Sequence, residues 1–170
     1  MQHRWLGFSF SLLLLPFCAS AQSVSPSTDQ VAQDTVDVEH LMAAYHQAVE
    51  AHDGARLSAL FIPQGSAWLN VLSDAAYAHL RAVKPGVQKV KVGSYQDFVK
   101  FVSQSKSHID PEHGHVSVQG DGTVATVYFD YVFNIDGKPT NKGFETWQLI
   151  KGEDGWRIAA ITYSSNPVNR

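Results

Sequence analysis

The sequence predicts an α+β domain in which helices come first and a curved antiparallel sheet follows, and three observations carry that expectation. Apolar residues in the first half keep a helical rhythm interrupted by glycine and proline. From about residue 115 the period becomes two, in segments rich in β-branched and aromatic residues. Short turns, Gly120-Asp121-Gly122, Asp136-Gly137 and Gly152 to Gly155, divide those segments into a meander. Such an order of elements covers the sheet's concave face with the helices.

The first residues stand apart. Arg4 gives a positive start, residues 5–17 are mostly apolar, and Ala19-Ser20-Ala21 supplies small residues before a cleavage point. The apolar run is shorter than the roughly 20 residues a spanning helix needs, so residues 1–21 are expected to be a cleavable export signal. A periplasmic or secreted location follows. Cys18 is the only cysteine, which leaves the mature domain without disulfides. Losing Arg4 from 13 basic residues leaves 12 against 16 acidic ones, a balance of −4 that disfavours nucleic acid and anionic membrane as partners. Residues 22–34 are polar and read as a flexible leader, and residues 35–166 as one domain.

Within that domain Val38, Leu41, Met42, Tyr45 and Val49 fall on one helical face, and Gly54 ends the run. Asp53 can cap a shorter second helix carrying Leu57, Leu60 and Phe61 before Pro63. Residues 67–72, AWLNVL, read as a short strand, and 73–83 as a small helix closed by Pro85-Gly86. Ser94 with Asp97 resembles a capping box at the start of a further helix with Phe98, Phe101 and Val102 as its apolar stripe. Residues 115–119 read as a strand, and 123–135 as a long one whose Ala125, Val127, Phe129, Tyr131, Phe133 and Ile135 share an apolar inner face. Residues 142–151 and 156–164 complete the meander.

The segments LMAAYHQAVEAHDGARLSALF and FETWQLIKGEDGWRIAAITYSS, in this order of elements, resemble the nuclear transport factor 2-like superfamily, which includes polyketide-cyclase-like (SnoaL-like), ketosteroid-isomerase-like and scytalone-dehydratase-like domains. The resemblance spans roughly residues 36–165. It implies a cone-shaped half-barrel closed by helices, with a hydrophobic chamber open at one end. It also implies a homodimer through the outer sheet face, where Thr126, Tyr128, Asp130 and Val132 lie. In ketosteroid isomerases a helix tyrosine, an aspartate base and a deeper protonated aspartate do the chemistry. Tyr45 matches the tyrosine, but the base position falls at or beside Asn70 and the deep acid near Trp147. Neither an amide nor an indole can replace a carboxyl group.

The chamber would therefore bind a small apolar or aromatic molecule, with Tyr45, Trp68, Asn70, Phe129, Tyr131, Glu145, Trp147 and Tyr163 as candidate lining residues. For Trp68, Trp147 and Trp156 core packing is the first expectation and lining the second. Glu145 is expected near the strand's mouth, solvated or paired with a lysine; facing inward, it would have a raised pKa and could serve an enzyme of lyase or isomerase type. A protein-interaction role is the third alternative. No cofactor and no metal are expected: His40, His46 and His52 turn around their helix, and His113 and His115, placed on one side by alternation, lack a third ligand. The basic stretch of Arg81, Lys84, Lys89 and Lys91 reads as a solvated face, and no nucleophile elbow or phosphate loop occurs.

Overall fold

A computed structural model describes residues 27–63 and 66–168. The expected export signal and the first residues of the leader lie outside them. Helix α1 (Thr28–Glu50) opens the domain, with the Ser27 hydroxyl accepting from the Gln30 amide. It starts within the stretch expected to be a flexible leader. The reason is Asp34, only 1% exposed, which accepts from the Gln30 side chain at 2.8 Å and faces Lys151 at 3.6 Å. A polar helix turn is thus tied to the sheet by charge. Further along, Val38, Leu41, Met42, Tyr45 and Val49 are all buried, as the rhythm predicts.

Asp53 caps α2 (Gly54–Ser58) through the Arg56 amide. Strand β1 (Ala67–Leu72) and helix α3 (Asp74–Val83) follow, and then β2 (Val90–Gly93), which includes Lys91 of the stretch read as a solvated face. As an edge strand with exposed side chains, β2 has no alternation to betray it. Helix α4 (Tyr95–Gln104) starts where Ser94 accepts from the Asp97 amide. Strands β3 (Ile109–Gly120), β4 (Val124–Ile135), β5 (Lys138–Gly152) and β6 (Gly155–Pro167) form the meander; β4 matches its expected span to within one residue, and the other three reach beyond theirs.

The strands make one unclosed six-stranded sheet in the order β2-β1-β6-β5-β4-β3. All neighbours are antiparallel except β1 and β6, which run parallel. Register shifts interrupt β3–β4 at Gly114/Ser117, β4–β5 at Phe133/Asn134 and β5–β6 at Gln148/Leu149. Such irregularities raise local twist and bend the ribbon around the helices. At Gly143 an added Cβ would lie 2.2 Å from the Ser164 carbonyl oxygen, so only glycine lets β5 and β6 approach this closely. The Ser164 hydroxyl fills the gap by accepting from the Phe144 amide.

The inner face of β4 buries Ala125, Val127, Phe129 and Tyr131 as alternation predicts. Beyond the bulge it is Asn134 that becomes buried, and its side chain donates to Glu112 at 2.7 Å. On the outer face Tyr128 and Phe144 stack at 5.4 Å and stay half exposed. Among the described residues no helix is long and apolar enough to cross a membrane.

Candidate functional site

Between α1, α4 and the concave sheet lies a cavity of about 230 Å³, and its walls follow from strand register. Asn70, Tyr163, Glu145 and Phe129 are successive partners across β1, β6, β5 and β4. Tyr131 and His113 pair in the same way on β4 and β3. Side chains directly opposite on adjacent strands stand about 5 Å apart on one face. Residues distant in sequence therefore converge on one hollow. From above, α1 supplies Tyr45 and α4 supplies Phe98 and Phe101.

Of the residues expected to line a chamber, Tyr45, Trp68, Tyr131, Glu145 and Tyr163 do face this cavity. Asn70 faces an adjoining lobe of about 320 Å³ that shares Trp68, Phe98, Phe101 and Tyr163 with the first. Phe129 and Trp147 do not line it. Both are fully buried behind the wall, where their rings meet edge to face at 5.4 Å, because the His113 ring packs against both and Tyr45 against Trp147. Sequence reasoning missed Phe98, Phe101, Pro111, His113, Phe133 and Asn141 as lining residues. The apolar stripe of α4 was the available signal for the first two.

His113 and His115 separate. The bulge after Gly114 and a left-handed backbone at His115 (φ 46°) break the alternation. His113 turns inward, 4.7 Å from the Phe129 ring, whereas His115 is exposed and bonds Asp130 at 2.7 Å. Burial first, and the nearby His46 second, lower the His113 pKa to about 4. His113 is a neutral imidazole at physiological pH.

Glu145 is neither freely solvated nor paired with a lysine. It lies in the cavity wall and its carboxylate accepts from the indole N–H of Trp147. Burial pushes its pKa up from 4.5 to about 7, a rise that the Trp147 hydrogen bond partly offsets. A carboxyl group in this wall holds or releases its proton near neutrality. Around it, burial and then the proximity of Glu145 and Tyr163 raise the phenols of Tyr45 and Tyr131 well above their ordinary range. Both stay protonated donors. Tyr131 spends its donor on the Ser164 carbonyl at 2.9 Å. Tyr163 accepts from the Asn70 amide at 3.0 Å, which leaves its own proton free to point elsewhere.

A hollow of this kind, roofed by helices and floored by a bent sheet, agrees with the sequence comparison. The profile of the SnoaL-like domain matches residues 38–168. This chain belongs to the SnoaL-like family. Among solved structures, the SnoaL-like domain is similar to a protein of unknown function from Mycobacterium tuberculosis, at 18% identity over 86% of this chain and 79% of that one, with a TM-score of 0.62. It is also similar to a proposed scytalone dehydratase from Novosphingobium aromaticivorans (13% identity, 85% and 99% coverage, TM-score 0.62). A third is the beta subunit of a proposed aromatic-ring-hydroxylating dioxygenase from the same organism (16%, 84% and 94%, TM-score 0.61). At these identities the likeness establishes the nuclear transport factor 2-like fold, also described as cystatin-like. No curated protein matches the sequence.

Proposed function

We propose that this SnoaL-like domain is exported and binds a small aromatic or largely apolar molecule carrying a hydroxyl or carbonyl group. The observation that carries the reading is Glu145, a carboxyl group with a pKa of about 7 set in a wall of aromatic rings. The rings of Trp68, Phe98 and Phe101 offer flat apolar contact, while Glu145, His113 and Tyr163 offer a few convergent polar atoms. An anionic guest in this cavity would face an acidic wall with no lysine or arginine among its described lining residues, Lys91 lying in the adjoining lobe, so a neutral guest suits the cavity best.

Ligand-observed NMR with a panel of one- and two-ring phenols and aryl ketones, set against their unsubstituted hydrocarbons, tests this reading. Wild-type protein should bind members of the panel saturably. Trp68→Ala should weaken every member at least tenfold, whereas Glu145→Gln and Tyr163→Phe should weaken only the oxygenated ones. If no member binds, or if the Trp68 variant binds as well as wild type, the reading is lost.

Catalysis of lyase or isomerase type is the second reading, favoured by the same carboxyl group. A general acid or base works best with a pKa near the operating pH. Acting as base, Glu145 would take a proton from carbon beside a bound carbonyl while the Tyr163 hydroxyl or His113 steadied the oxygen. Deuterium exchange into the α-carbon of a bound aryl ketone, followed by NMR, should then proceed in wild type and stop in Glu145→Gln. Homodimerisation is part of the proposal as well, motivated by the exposed Tyr128–Phe144 stack. Light scattering should give a dimer that the double substitution Tyr128→Ser, Phe144→Ser disperses.

A further inference from the structure

Outside the cavity lining, three potential ligands from two elements converge beside the end of α1. His46 and Glu50 are one helical turn apart on α1, and Asp110 stands at the start of β3. The His46 Nε2 lies 3.1 Å from a Glu50 carboxylate oxygen and 3.8 Å from Asp110 Oδ1, and one donor atom from each of the three residues falls within 4.8 Å of the others. Ligands on a tetrahedral zinc ion, with bonds of about 2.0–2.2 Å, are separated by roughly 3.3–3.5 Å. The two distances from His46 lie on either side of that value.

The orientation of the imidazole adds a separate argument. Its Nδ1 is 2.9 Å from the Pro111 carbonyl oxygen, which can only accept, so Nδ1 carries the proton. That places Nε2 toward the two carboxylates. A backbone carbonyl holding the far ring nitrogen is the usual support behind a metal-bound histidine. Among the described residues neither Glu50 nor Asp110 has a lysine or arginine partner, so two negative groups surround one imidazole nitrogen. Partial exposure, 35% for His46, 40% for Glu50 and 32% for Asp110, gives an ion a way in.

We propose that His46, Glu50 and Asp110 bind one divalent transition-metal ion of the zinc type, clamping the end of α1 to the start of β3. Imidazole together with carboxylates suits zinc; magnesium prefers an all-oxygen octahedron. The clamp would fix Pro111, which forms part of the cavity wall.

Calorimetric titration of the tag-free, chelator-stripped protein with zinc chloride and with magnesium chloride tests the site. Zinc should bind at one equivalent with micromolar or tighter affinity and raise Tm by several degrees, and magnesium should do neither. His46→Ala should weaken zinc binding more than tenfold, as should Glu50→Gln combined with Asp110→Asn. The latter pair is isosteric and lies at partly exposed side chains, so its circular dichroism should remain that of wild type. Absence of zinc binding at 100-fold excess over protein, or unchanged stoichiometry and affinity in both variants, would mean that the cluster holds only a proton and overturn the proposal.

Discussion

Two acids occupy the interior of this domain, at opposite kinds of site. Asp34 sits where α1 meets the β5–β6 hairpin and has an amide donor and an ammonium group beside it. Glu145 sits in the cavity wall with an indole N–H as its only hydrogen-bonding partner among the described residues. Both lie against apolar surroundings, yet only Asp34 has a cation beside it, at Oδ1, while its Oδ2 is buried without a hydrogen-bond partner among the described residues. An interior carboxylate with a cationic neighbour serves as an anchor. One without it stores a cost that a ligand or a proton can relieve. The contrast teaches that the deeper acid is the one given a cation, and that the missing cation marks Glu145 as the candidate functional one.

The sharpest way to break the contrast is to remove the residue that holds Glu145. Trp147→Ala deletes the largest fully buried side chain and should cost about 3–5 kcal/mol in urea unfolding. Asp34→Ala comes next, at about 2 kcal/mol, because the Gln30 side chain loses its acceptor and Lys151 is left with Asp37 alone. Glu145→Gln should act in the opposite direction, adding about 1–2 kcal/mol at pH 8 after allowance for residual solvent contact.

The pH dependence separates the cavity's two titrating groups. Folded Glu145 keeps its proton up to about pH 7, whereas the unfolded carboxyl group loses it near 4.5, so this group's contribution makes stability fall as pH rises through that window. Folded His113 stays neutral down to about pH 4 while the unfolded imidazole binds a proton near 6.5, so its contribution rises with pH between 4 and 6.5. The slopes oppose each other in wild type. In Glu145→Gln only the His113 slope remains, and urea titrations from pH 4 to 8 should expose it. The gain from Glu145→Gln should vanish below pH 4.5. The smallest effect is expected at the roof, where Ser94→Ala removes the α4 cap for about 1 kcal/mol.

Much of the architecture was legible because it rests on local rules. The α1 stripe placed Tyr45, the strand at 67–72 has its expected bounds, and Ser94 caps as its spacing implies. The site was legible only in part, since its remaining determinants are not local. Alternation along β3 predicts His113 and His115 on one side, and a single left-handed residue separates them. Glu145 follows the general tendency of acids toward solvent until Trp147, two residues away on the same face, offers an indole N–H. Lys91 looks merely solvated because an edge strand leaves its side chains exposed, and Lys89, just before that strand, pairs with Asp74. Nor does the polarity of the leader reveal that Lys151, more than a hundred residues later, will meet Asp34.

Strand β6 lies between β1 and β5, and its alignment with β1 is parallel. The floor of the hollow therefore joins the earliest strand to the latest, and neither half of the chain can assemble it alone. Folding has to wait for the final segment to arrive, which makes closure a slow, long-range event. Until then Trp68 and its neighbours remain unshielded, and a chain cut before β6 loses the whole vessel rather than one wall of it.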